Sequence, residues 1–225
     1  SIIIIDRNGN LIDGQHRLEA CVLADHEFTS IVTYNVDPAA FSTIDTGRIR
    51  SAGDIFAIEG ITSPVQSAAT ITAYFNLCRK VNGSFRGNES LRKIRVSKQE
   101  ILQFYNENQS MVKKAISLAQ KCNKKYRLMS YSATSAYVLY LLLQKHHPIE
   151  KIDDFFSQLY GLTQETFAPI GLLRTALIRN ATKQVIITPT LRNVYMIKTW
   201  NTYIANKPFS RLHYQAERDK NLDFI

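Results

Sequence analysis

A chain of 225 residues, 45% of them hydrophobic and 21% charged, has ordinary globular composition and enough length to bury a sizeable core. Its formal net charge of +9, with a pI near 9.5, is the electrostatic footprint expected of a nucleic-acid binder. The longest apolar run, Tyr137 to Leu143, falls far short of the roughly 20 residues that span a bilayer, no signal peptide is visible, and Cys21, Cys78 and Cys122 lack the paired spacing of a disulfide framework or zinc cluster. A soluble cytoplasmic protein with reduced thiols is expected.

In chain order, Ser1 to Ile5 reads as a buried strand, and Asp6-Arg-Asn-Gly-Asn10 carries the Asn-Gly signal of a tight hairpin before a short strand at Leu11 and Ile12. Asp13 then begins a helix whose buried face is expected at Leu18, Cys21, Val22 and Ala24. Ser51 and Asp54 cap a helix. Ser63-Pro64 opens another, with Ala68, Ile71, Phe75 and Leu77 as its apolar face. Ser97 and Glu100 make a capping box before Ile101, Phe104 and Tyr105. Further helices are expected over Met111 to Cys122, Ala133 to Lys145, Ile152 to Tyr160, Pro169 to Asn180 and Pro189 to Ala205. The stretch from Tyr137 to Leu143 is apolar on most sides, which marks a central core helix, and Trp200 is expected to pack against that core. His146 and His147, adjacent before Pro148, read as a helix end rather than a metal pair.

The densest chemistry lies in Leu11-Ile-Asp-Gly-Gln-His-Arg-Leu-Glu19. The Asp13 carboxylate can accept a backbone N–H at the helix start, and Gly14 sits where main-chain N–H groups are unpaired and attract anions together with the helix dipole. His16 and Arg17 in the first helical turn oppose that dipole, so stability alone does not explain them. Arg17 is suited to grip a phosphate bidentately, His16 to donate to it or move a proton, and Gln15 to add an amide donor.

Asp13-Gly-Gln-His-Arg-Leu-Glu-Ala20, preceded by a strand, an Asn-Gly turn and a short strand, resembles the signature box of the ParB/sulfiredoxin-like superfamily, in the D-G-Q-H-R variety of phage proteins. The resemblance is specific over Ile2 to Ala24. It weakens beyond, where Phe41 to Ser51 and Lys198-Thr-Trp-Asn201 are similar to later segments of the phage-type members. It implies a small mixed sheet whose box binds nucleotide phosphates at a helix N-terminus, with Gly14, Gln15, His16 and Arg17 on the phosphate oxygens. It also implies a strand and helix ahead of Ser1 that contribute to the pocket. The chain departs from two branches of that superfamily. Gln15 stands where sulfiredoxins carry their reactive cysteine, which removes sulfinic acid reduction. Gln15 and His16 replace residues of the partition proteins' Gly-Glu-Arg-Arg box, and their second arginine-bearing box has no match here, Glu107-Asn108 being the nearest pair.

A second element, Asp45-Thr-Gly-Arg-Ile-Arg50, places Arg48 and Arg50 two residues apart, on one side of an extended stretch. They are candidates to complete a phosphate cage, with Asp45 as a ligand for magnesium; the alternative is a surface turn. Positive charge then concentrates between Arg79 and Arg127. Arg79, Lys80, Arg86, Arg92, Lys93, Arg95 and Lys98 flank or fill a glycine-containing loop, and Lys113, Lys114, Lys121, Lys124, Lys125 and Arg127 follow, with Phe85, Tyr126 and Tyr131 interleaved. That pattern fits binding to a phosphate backbone, and the alternative is a solvated face.

The expected fold is α+β: residues 1–60 form a small ParB/sulfiredoxin-like phosphate-binding domain, and residues 61–225 a larger all-α domain with the basic loop and helix. The expected function is a nucleotide-binding, DNA-associated protein of phage or plasmid biology in a bacterial host cell, taking ATP or CTP with magnesium. It hydrolyses the triphosphate or transfers its phosphoryl group, with Asp13 and His16 as catalytic candidates. The alternatives are a non-catalytic DNA-binding or regulatory protein and a ParB-like nuclease, and enzymatic activity stays open among them. Expected partners are DNA, a nucleotide and a second copy of the chain; no membrane is expected.

Overall fold

The computed structural model describes residues 2–39, 51–82, 96–215, 219 and 222–225, the side chains of 79–82 excepted. The protein is α+β, with a small three-stranded mixed sheet at the N-terminus followed by a mainly helical chain. It divides into two compact units, Ser1–Ser51 and Ala52–Ile225.

The N-terminal unit starts with β1 (Ile2–Asp6) and β2 (Leu11–Asp13), an antiparallel hairpin. Gly9 takes φ +83°, and the Asp6 and Asn10 main chains close the loop at 2.9 Å. The Asp6 carboxylate holds that loop from inside, accepting from the main-chain N–H of Asn8 (2.8 Å) and Asn10 (2.7 Å) and from the Asn10 amide (3.0 Å). Helix α1 (Gln15–Ala24) follows, then β3 (Ile31–Val36), which runs parallel to β1 and gives the strand order β2-β1-β3. An exposed ion pair from Arg7 to Asp37, 2.7 Å, ties the hairpin tip to the end of β3.

Three expectations for this unit need correction. The helix begins at Gln15 with Gly14 as its N-cap, and Asp13 is the last residue of β2, because Gly14 at φ +106° and ψ 0° cannot continue a right-handed helix. β1 is not buried throughout: Ile3 and Asp6 are, while Ile2 is 46% exposed, since alternate residues of a strand face opposite sides. No residue of α1 is buried, and Val22 is 81% exposed, because the short sheet leaves that helix face uncovered by the described residues.

The second unit is built from α2 (Ala52–Ile58), α3 (Pro64–Asn82), α4 (Lys98–Cys122), α5 (Tyr131–Leu143), α6 (Ile149–Leu159), α7 (Ala168–Ala181) and α8 (Pro189–Ala205). Ser97, Ser130 and Thr188 cap α4, α5 and α8 through their side chains, the first in a full capping box with Glu100. The two helices expected before and after Met111 are one element with a kink at Asn108 (φ −128°, ψ 23°), whose amide donates to the Phe104 carbonyl at 3.0 Å. Helix α5 is the central one: Thr134 to Leu141 are all buried. Trp200 is fully buried with Phe155, His147 and Tyr203 around it.

Several hydroxyls inside this core are paired. The Thr134 and Tyr160 hydroxyls lie 2.6 Å apart, and Thr70 and Ser135 2.8 Å apart. Burial pushes the Cys122 thiol up to about 12, with the Asp153 charge adding to the shift, so this cysteine is an inert core group. The chain end inserts into the helical unit. Phe224 packs on Tyr137 and Tyr140, Asp223 meets Lys145 at 2.9 Å, and Asn201 bonds the Asp223 carbonyl at 2.7 Å.

Candidate functional site

The corner between β2 and α1 is shaped by Gly14. A Cβ there would stand 2.2 Å from Ile3 Cδ1, and the residue's positive φ strains any side chain. Glycine therefore lets β1 and the helix start approach one another. The Gly14 N–H donates to Asp13 Oδ1 at 2.7 Å, while the N–H groups of Arg17 and Leu18 return to the Gly14 carbonyl at 3.1 and 3.0 Å. The main-chain N–H groups of Gln15 and His16 find no acceptor among the described residues, as the first donors of a helix do not. The anion-attracting donors of this corner are thus those of Gln15 and His16, and Gly14's own is taken.

Arg17 lies across the corner. Its Nη2 donates to the Ile2 carbonyl at 2.5 Å and to Asp13 Oδ2 at 3.1 Å, and its side chain keeps 37% of its surface in solvent. Both oxygens of Asp13 are engaged, one by Gly14 and one by Arg17. One nitrogen of the guanidinium fork makes both of Arg17's bonds, so its other N–H donors have no partner among the described residues. The His16 side chain is 99% exposed, with Nδ1 3.5 Å from Glu19 Oε2. Gln15 donates through its amide to the Leu11 carbonyl at 3.3 Å. Asp13, Gly14, Gln15 and Arg17 are therefore brought together, and His16 stands out into solvent beside them.

Asp6, which sequence reasoning treated as part of a turn, supports the corner from the other end of the hairpin. Burial alone would raise its pKa, but the hydrogen bonds from Asn10 and Asn8, with the Arg7 charge, outweigh that and hold the carboxyl below its ordinary value. Its signal was legible as an aspartate followed by Asn at the second and fourth positions, the spacing of a side chain that caps its own turn.

Asp45, Arg48 and Arg50 lie outside the described residues, as do Arg86, Arg92, Lys93 and Arg95. Arg79 and Lys80 fall in α3, and Lys98 opens α4 half-buried. Of the later basic group, Lys121 pairs with Asp153 at 2.8 Å and Lys125 donates to the Gly161 carbonyl at 2.6 Å, 5.6 Å from the Tyr126 ring centroid. Lys113, Lys114, Lys124 and Arg127 are exposed and make no ion pair among the described residues. No group of three His, Cys, Asp or Glu side chains among the described residues is placed to hold a metal ion, and no described helix is long and apolar enough to cross a membrane.

Comparison with protein-family models, with curated proteins and with solved structures finds no match for this chain.

Proposed function

We propose that the β2–α1 corner binds the phosphates of a nucleotide such as ATP or CTP, in a ParB/sulfiredoxin-like N-terminal unit. The observation that carries this reading is the pair of unbonded main-chain N–H groups of Gln15 and His16 at a helix start, flanked by the exposed His16 ring and the open donors of Arg17. An oxyanion placed there would meet two backbone donors, an imidazole and a guanidinium, each bond to a charged group contributing about 1.5–3 kcal/mol. In this reading Asp13 holds Arg17 and Gly14 in position, since both of its oxygens already accept hydrogen bonds. His16, exposed beside Glu19, is the group that would take or give a proton during hydrolysis or phosphoryl transfer. The described residues offer no ligand cluster for magnesium, and no step is assigned to a metal.

Calorimetry of the whole chain against ATP, CTP, GTP and ADP with magnesium tests the reading. Saturable binding weakened about tenfold or more by His16→Ala is expected. A flat response to every nucleotide would sink it. Turnover lost in His16→Ala with binding retained would assign catalysis to that imidazole.

A second reading, a non-catalytic DNA-binding protein, is favoured by one observation of its own. Lys113, Lys114, Lys124 and Arg127 are exposed cations without ion-pair partners among the described residues, in a chain of net charge +9. It expects DNA affinity that falls steeply with salt, and a shallower salt slope after reversing those four charges. Reversal of Arg92, Lys93 and Arg95 extends the same test to the preceding loop.

A further inference from the structure

Helices α3, α5 and α8 line an open cavity of about 250 Å³ in the helical unit. Its polar lining comes from Asn76, Ser130, Ser132, Tyr137, Arg192 and Asn193, and no carboxylate is among the described residues that line it. Arg192 sits in the first turn of α8, where a cation opposes the helix dipole. It belongs to no ion pair among the described residues, and its Nε is buried without a hydrogen-bond partner. The first turns of α5 and α8 both lack an acid, so nothing there offsets this positive charge.

The arginine is nevertheless held in place. Its guanidinium lies against the Tyr137 hydroxyl, and that hydroxyl donates to Asn193 Oδ1 at 2.5 Å. Tyr137 is 2% exposed and Asn193 5%, so a buried polar chain orients the cation at the cavity wall. Facing it is the start of α5. There the Ser130 side chain accepts from the Ala133 N–H and lies 3.2 Å from the Ser132 hydroxyl, while the N–H of Ser132 has no acceptor among the described residues.

We infer that this cavity binds a small oxyanion, a phosphate or carboxylate head group, between Arg192 and the start of α5, with the Ser132 hydroxyl as a further donor. An anion would satisfy the guanidinium and both helix dipoles together. The volume lies just below the ~300 Å³ at which pockets enclose drug-sized ligands, which suits a head group. Every residue that lines the site belongs to the helical unit, so the proposal does not rest on the β2–α1 reading.

The test is a titration of the isotope-labelled whole chain with inorganic phosphate, acetate and glycerol phosphate at constant ionic strength, read by amide NMR. Saturable shifts at Ser132 and Ala133 are expected, weakened at least tenfold in Arg192→Gln and unchanged in Arg17→Ala. Tighter binding of glycerol phosphate than of phosphate would identify a phosphorylated small molecule, and equal binding the free ion. The proposal is overturned by the absence of saturable shifts, by their persistence in Arg192→Gln, or by their loss in Arg17→Ala. Should Arg192→Gln fail to fold, Ser132→Ala combined with Asn76→Ala decides: a weakening of at least threefold supports the site, and unchanged binding rejects it.

Discussion

The two units are stabilised in different ways. The helical unit closes over a continuous core that includes Phe56, Ile71, Leu139, Phe155, Trp200 and Phe224, all at most 1% exposed. In the N-terminal unit the buried residues among those described are Ile3, Asp6, Ile12 and Gly14, while Val22, Leu23, Ile31 and Tyr34 are exposed on α1 and β3. Local devices do there what apolar area does in the helices: a carboxylate inside a turn, a glycine at a close approach and an arginine laid across two elements. Those same polar groups are the ones that chemistry can use. A small unit held by hydrogen bonds leaves its functional groups near solvent, whereas the helical unit hides its hydroxyls in pairs such as Thr134 and Tyr160.

The largest effect expected from breaking this contrast is in the helical unit. Trp200→Ala removes a fully buried indole, along with its contacts to Phe155, His147 and Tyr203, and should cost about 3–5 kcal/mol. Urea unfolding followed by circular dichroism measures it. Next comes Gly14→Ala, in which a methyl would overlap Ile3 Cδ1 and the backbone would be strained at φ +106°. A loss of about 2–4 kcal/mol is expected, confined to the N-terminal unit. Amide exchange should accelerate in β1 and β2 and stay unchanged in α5. Equal acceleration in both units would show that they unfold as one.

How much of this was legible follows the same division. In the helical unit, local signals decide the outcome: Thr188-Pro189 opens α8 where expected, Ser97 and Glu100 form their capping box, and the apolar stretch around Leu139 is the core helix. The kink at Asn108 was not legible as a continuous helix, since an asparagine that bonds the Phe104 carbonyl mimics a stop signal. In the N-terminal unit, helix periodicity misled. Leu18, Cys21, Val22 and Ala24 have the spacing of a buried face, but spacing says nothing about whether a partner surface exists to bury it. At the corner, residue types were readable and their bonds were not. That Arg17 reaches back to the Ile2 carbonyl depends on β1 lying beside the helix start, a contact fifteen residues away in sequence. Arg192 escaped notice because its meaning comes from Tyr137, a residue of another helix that only the fold brings to it and to its neighbour Asn193.

A subtler break uses pH. The Asp6 carboxyl is held below its ordinary value in the folded chain, by the bonds from Asn10 and Asn8 that outweigh its burial. Its contribution to stability is therefore present above the unfolded pKa of about 3.9, and is lost as pH falls through the lower folded value. Acidification should release the hairpin, seen as faster exchange at the Asn8 and Asn10 amides, while α5, whose Thr134 to Leu141 stretch has no carboxylate, stays protected. Asp6→Asn should abolish that pH dependence. A hairpin equally sensitive to acid in the variant would place the responsible carboxylate elsewhere, with Asp37 the next candidate because the Ala39 N–H and Arg7 hold it low as well.

The smallest expected effect sharpens the contrast most. Val22 and Leu23 are 81% and 88% exposed on α1, so replacing both with Ser removes little buried area in the isolated chain. A change within about 0.5 kcal/mol for each is expected from unfolding of dilute protein, as for surface positions elsewhere. The equivalent change in the helical unit, Leu139→Ser, deletes a fully buried side chain and leaves a hydroxyl in an apolar core, which should cost at least the about 2–5 kcal/mol of a buried leucine truncation. If Val22→Ser and Leu23→Ser instead cost more than about 2 kcal/mol, their side chains are covered in solution, and the N-terminal unit owes its stability to packing after all.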